Sequence, residues 1–82
     1  MTDIELLDRI SIDPRIMTGK PVIRGTRLSA EYILNLLAHG ATQKEILEEY
    51  EGLTQSDIHA CLLFASLSLE SASFVPLIAE TA

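Results

Sequence analysis

The chain has 82 residues, a formal net charge of −6 and hydrophobic side chains at nearly half its positions. That length allows one domain over residues 1–82 with one modest core, and it leaves no room for a second. The longest unbroken apolar run, Ala60–Ala65, falls far short of the roughly 20 residues of a spanning helix, so no membrane segment is expected. The start Met-Thr-Asp lacks the basic patch and apolar stretch of a secretory signal, so the cytoplasm is the expected location.

The charge is unevenly spread. Five of the six basic residues fall between Arg9 and Arg27, namely Arg9, Arg15, Lys20, Arg24 and Arg27, opposed there only by Asp13. That stretch carries +4. From Leu28 onward, Lys44 stands against eight acids, giving −7. Such a chain presents a basic edge to something anionic, while its acidic remainder weakens general attraction to a polyphosphate.

In chain order, Ile4, Leu6 and Leu7 suggest a short helical turn. Residues Arg9–Asp13 alternate, with Ile10 and Ile12 on one side and Ser11 and Asp13 on the other, which predicts a short strand. Asp13-Pro14 ends it. Gly19-Lys20-Pro21 signals a turn, Val22-Ile23 a second short strand and Gly25-Thr26 another turn. Strands this short must dock on helices to persist.

The rest of the chain reads as three helices. Ser29 is placed to cap the first, with Ile33, Leu36 and Leu37 on one face and Gly40 as its stop. Thr42 and Glu45 form a capping box for the second, which buries Ile46, Leu47 and Tyr50. Gly52 ends that helix. Thr54 and Asp57 repeat the capping logic for the third, which runs to about Leu69. Its core stripe is Ile58, Cys61, Leu62, Ala65 and Leu69. Leu63, Phe64 and Leu67 lie off that stripe, so this helix is apolar around much of its circumference and is expected to bury two sides. One side faces the chain's own core. The other, at Leu63, Phe64 and Leu67, faces a second copy in a homodimer. The segment Phe74-Val75-Pro76-Leu77-Ile78 is apolar and marked by proline. It is either packed down or offered to a partner, and it is the preferred partner-binding segment, because such an extended peptide can lie in a groove or add to a sheet edge.

The runs Arg9-Ile-Ser-Ile-Asp-Pro-Arg-Ile and Gly19-Lys-Pro-Val-Ile-Arg-Gly-Thr-Arg27 resemble a bacterial and archaeal family, the domain of unknown function numbered 433. So do Ile33-Leu, Leu36-Leu-Ala, Gly40, Glu45-Ile-Leu, Tyr50, Leu53-Thr and Asp57-Ile. The likeness spans roughly residues 5 to 78, and the Gly19–Arg27 run is its specific part. One departure is Glu51-Gly52 after Tyr50, where the family commonly has proline; Gly52 can close the helix by a left-handed cap. The resemblance implies a mainly α, homeodomain-like three-helix unit of helix-turn-helix type with an N-terminal β arm. It also implies an antitoxin of the VapB type, paired with a PIN-like nuclease toxin.

The candidate site residues each carry more than one reading. Lys20, Arg24 and Arg27 can touch phosphates as an arm beside a helix-turn-helix. They can grip acidic groups of a nuclease partner. They can equally bridge the chain's own acids, such as Glu31 or Glu48. Gln55, Ser56 and His59 open the third helix, where a groove reader places its contacts, and glutamine can read adenine. That helix has no lysine or arginine, and Asp57 near its start opposes phosphate, so simple helical packing is favoured over base readout. His59 and Cys61 stand two apart on a helix and cannot share a face, and two ligands are too few for structural zinc. Gly19-Lys20 lacks the earlier glycine and the Ser or Thr of a phosphate loop. Glu45 is a capping residue, and Glu48 with Glu49 suits a solvated face. No nucleophile, base and oxyanion donor converge, so neither an enzyme nor a cofactor is expected. The leading expectation is a non-catalytic antitoxin-like protein that binds and neutralises a PIN-like toxin. A DNA-binding regulator and a structural homo-oligomer are the alternatives.

Overall fold

The computed structural model describes residues 1–71. Thr2 and Glu5 close a capping box that starts α1, Asp3–Leu7. The short helix keeps no residue fully buried, although Leu6 packs on the core. Strands β1, Ile10–Ser11, and β2, Val22–Ile23, pair antiparallel in the register Ile10 with Ile23 and Ser11 with Val22.

β1 is shorter than the alternation at Arg9–Asp13 suggests. Ile10 is buried, but Ile12 is 59% exposed. The cause lies in Asp13, whose carboxylate accepts from the Arg15 backbone N–H and guanidinium. That local turn leaves the strand direction after two pairs. A second turn follows at Met17–Gly19. Met17 and Thr18 have φ of 50° and 55°, ahead of Gly19 at 83°. Left-handed backbone is uncommon for any side chain and rare for a β-branched one such as Thr18.

Three helices follow. Ser29 accepts from the Tyr32 N–H and opens α2, Ala30–Ala38. The Thr42–Glu45 capping box opens α3, Gln43–Glu49. Gly52, at φ 90°, turns the chain between α3 and the next helix. Leu53 in the same turn is buried. The Thr54–Asp57 box opens α4, Gln55–Glu70. All three capping signals act where their spacing places them.

α4 is the hub. It packs against α1, α2, α3 and β1. Ile23, Ile33, Ile46, Ile58 and Cys61 are the largest fully buried side chains. The buried face of α4 is Asp57, Ile58, Ala60 and Cys61, with Phe64 packed against the core. Two members of the expected core stripe do not join it, since Leu62 is 41% and Leu69 is 66% exposed. The first half of α4 is surrounded by other elements. Leu7 and Ile12 still flank its second half on one side and Leu34 and Ala38 on another, so Leu62 and Leu69 are exposed because their side of the helix is turned away from these neighbours.

The two capping carboxylates contribute a pH dependence. Backbone and side-chain hydrogen bonds from Thr2 hold Glu5 below its ordinary 4.5, and those from Thr42 do the same for Glu45. A depressed folded value means the stabilisation is present above the unfolded value and is lost as pH falls through the folded one. Thermal midpoints should therefore fall on acidification below about pH 4.5. Glu45→Gln, which keeps the acceptor but does not titrate, should show a smaller fall, read by circular dichroism.

Candidate functional site

The basic front half is the natural place for a binding surface, and most of its cations are paired with the chain's own acids. Arg9 Nη1 donates to Asp57 Oδ1 at 3.0 Å and to Thr54 Oγ1 at 3.4 Å. Side-chain exposure is 34% for Arg9 and 10% for Asp57. Asp57 Oδ2 also accepts from the Thr54 backbone N–H at 2.9 Å. Asp57 thus serves the helix cap with one oxygen and Arg9 with the other. The carboxylate set against phosphate by the sequence is a buried, neutralised one.

The other pairs are more exposed. Arg15 and Asp13 meet at 3.0 Å, and Asp13 is held below its ordinary value by that contact. Lys20 Nζ lies 3.0 Å from Glu31 Oε1. Arg24 Nε donates to the Asp8 carbonyl at 2.8 Å, with its Nη2 3.8 Å from the Asp8 carboxylate. Exposed pairs of this kind are screened by solvent and add little to stability. Their importance is that they occupy the charges.

Arg27 differs. It is exposed, and among the described residues it has no carboxylate partner. It lies between two grooves. Arg15, Ile16, Met17, Gly25 and Thr26 line one of them with Arg27. The other runs along α2, past Ser29, Tyr32 and Asn35. Met17 lines both grooves and is 42% exposed. An unpaired guanidinium beside an exposed thioether can take a carboxylate or phosphate oxygen together with an apolar group.

The expected arm is therefore not one surface. Arg24 lines a groove with Arg9, Asp57 and α1, Lys20 is tied to the start of α2, and Arg27 faces its own two clefts. At the front of α4, Gln55 and His59 are exposed and Ser56 is half-buried. Gln55 reaches Gln43 at 3.5 Å. Of the residues expected at a second copy, Leu63 is half-buried, and Phe64 packs on the chain's own core. Leu67 lines a groove with Leu7, Ile12 and Phe64. Phe74, Val75, Pro76, Leu77 and Ile78 lie outside the described residues.

Beyond the left-handed turn that carries Met17, two side-chain pairings escaped the sequence. One is the role of Arg9, whose partner is 48 residues away. The other is a tyrosine pair. The rings of Tyr32 on α2 and Tyr50 at the end of α3 meet edge to face, with centroids 5.9 Å apart and planes at 86°. Their hydroxyls are hydrogen-bonded to each other. That bond, ahead of desolvation, raises Tyr50 above 10.0.

Cys61 is buried, and burial followed by the nearby Asp57 charge pushes its thiol up to about 11. A buried, protonated thiol is neither a nucleophile nor a ready ligand. Among the described residues, no group of three His, Cys, Asp or Glu side chains is arranged to hold a metal. No helix there is long and apolar enough to cross a membrane.

Comparison with known proteins places the chain. A family model described as a protein of unknown function, DUF433, matches residues 10–65. The chain is also similar to a DUF433 member protein from Anabaena variabilis of known crystal structure. The TM-score is 0.72 at 31% identity, over 82% of this chain and 67% of that one. No curated protein matches.

The tyrosine pair yields a direct measurement, because the chain has two tyrosines and no tryptophan. An ultraviolet titration of the phenolates should show one group ionising late. Tyr32→Phe should bring Tyr50 back toward 10.0, and an unchanged titration would remove the assigned hydrogen bond.

Proposed function

The chain belongs to the DUF433 family, and from that premise we propose that it is a non-catalytic, antitoxin-like interaction protein. In this reading it acts in the cytoplasm as a homodimer, without a cofactor, and neutralises a partner protein of PIN-like nuclease type. The observation that carries the reading is the sorting of the cations. Four of the five arm cations are occupied by the chain's own acids, and exposed Arg27 is left beside clefts that the apolar side chain of Met17 also lines. A protein carboxylate flanked by an apolar side chain fits that pairing better than a run of phosphates, which rewards several free cations together.

Co-expression with the product of the adjacent gene tests it. Co-elution is expected, along with relief of that product's toxicity. Arg27→Glu should weaken the complex by about tenfold or more while leaving the thermal midpoint within the small range of a surface change. An adjacent product that neither binds nor is toxic alone removes the reading.

DNA binding remains as a second reading because of one observation. Asp57 is paired with Arg9, so the start of α4 is less hostile to phosphate than its sequence suggests. In that reading α3 and α4 act as a homeodomain-like helix-turn-helix, with Gln55, Ser56 and His59 toward a groove and Lys20, Arg24 and Arg27 at the backbone. A complex with upstream DNA whose affinity falls steeply with salt would favour it over the protein partner. The same chain acting only as a structural homo-oligomer would bind neither.

A further inference from the structure

The second half of α4 presents a face that the core does not use. Leu62, Ala65 and Leu69 recur at three- and four-residue spacing, so they share one side of the helix. Leu62 and Leu69 are exposed there. Alongside runs a groove between α2 and α4, lined by Leu34, Ala38, Ala65 and Leu69. We propose that this face, and not the side carrying Leu63 and Leu67, is where a second copy of the chain docks, α4 against α4 about a two-fold axis. The proposal refines the homodimer in the functional reading and rests on it only for its biological sense.

Charge identifies the occupant. The chain carries −6, so two copies repel wherever acidic surfaces meet. Ile58–Leu69 contains no Asp, Glu, Lys or Arg, and neither does Tyr32–Ala38 on α2. The one charged residue lining the groove, Glu31, is paired with Lys20 at 3.0 Å. A strongly basic partner would gain nothing here and would prefer the acidic surface elsewhere. A neutral apolar face matches best another neutral apolar face, and an equally acidic copy has this one to offer.

The register also closes on itself. In an antiparallel pair centred between Ala65 and Ser66, Leu62 of one copy lies opposite Leu69 of its partner, and the reverse holds. That is the self-complementarity a two-fold interface requires. Small side chains at the centre let the helices approach, and the protruding leucines fill the partner's α2–α4 groove as ridges fill grooves.

Sedimentation equilibrium of the full chain tests the interface. A dimer is expected for the wild type. Leu69→Glu should raise its dissociation constant about 100-fold, with helicity unchanged. Leu67→Glu, on the side facing Leu7 and Ile12, should leave it intact. Ala65→Cys should give a disulfide-linked dimer on mild oxidation, while the buried native Cys61 stays out of the reaction. A monomeric wild type overturns the proposal. So does a dimer lost with Leu67→Glu and kept with Leu69→Glu, or an Ala65→Cys chain that does not cross-link. A monomeric wild type would also remove the homodimer from the functional reading, whereas the partner contact at Arg27 is tested only by the co-elution experiment, so the two failures are told apart.

Discussion

Arg9 and Asp57 meet at the junction between the N-terminal arm and the helix on which everything else packs. Arg9 follows α1 and precedes β1, and its backbone carbonyl accepts from Arg24 beyond β2 at 2.7 Å. Asp57 sits in the first turn of α4, where its other oxygen caps the helix. One contact therefore ties the strand pair to the first turn of α4, and Ile10 and Ile23 join the core cluster that holds Ile58 and Cys61. The pair need not add much net stability, since desolvating two charges offsets most of their attraction. Its contribution is register. Hydrophobic side chains at the arm could slide along an apolar helix, whereas an ion pair whose carboxylate also caps the helix has one position.

The same constraint explains how much of the fold was legible. The starts of α3 and α4 were readable because a capping box is a local signal, complete within four residues; Thr42 with Glu45 and Thr54 with Asp57 needed nothing from elsewhere, whereas the same box at Thr2 and Glu5 went unread before so short an apolar run. The glycine stops were readable for the same reason. The end of β1 was not, because it depends on Asp13 preferring its own turn to the strand ladder. The inner face of α4 was misread at Leu62 and Leu69. Periodicity reports which residues share a side, but how far neighbouring elements extend along that side is a property of the assembled packing.

The binding surface was legible in composition and not in arrangement. Clustering of the cations at Arg9–Arg27 is plain in the sequence, and internal bridging of Lys20 to Glu31 was among the readings it allowed. Which cation would remain unpaired depends on distances across the fold, and Arg27 is set apart by what Arg9, Arg15, Lys20 and Arg24 happen to reach. The left-handed Met17 and Thr18 had no local signal at all, since neither residue type favours that backbone. They bring Met17 beside Arg27, and backbone held in such a region persists only where its surroundings over-determine it.

The bridging of the arm changes how the protein meets anything at a distance. A cation 3.0 Å from its carboxylate is, beyond the roughly 8 Å screening length of physiological salt, no longer a charge but a small dipole. The +4 stretch thus contributes little far field, and an approaching molecule encounters a body that is negative from most directions. Electrostatic steering, which can carry association toward the diffusion limit, is not available to an acidic partner here. Encounter should run at the ordinary rates of unsteered protein pairs, about 10⁵–10⁷ M⁻¹s⁻¹. Selectivity would then reside in how long a complex lasts once Arg27 and its apolar neighbour are engaged, and little of it in how often the partners collide.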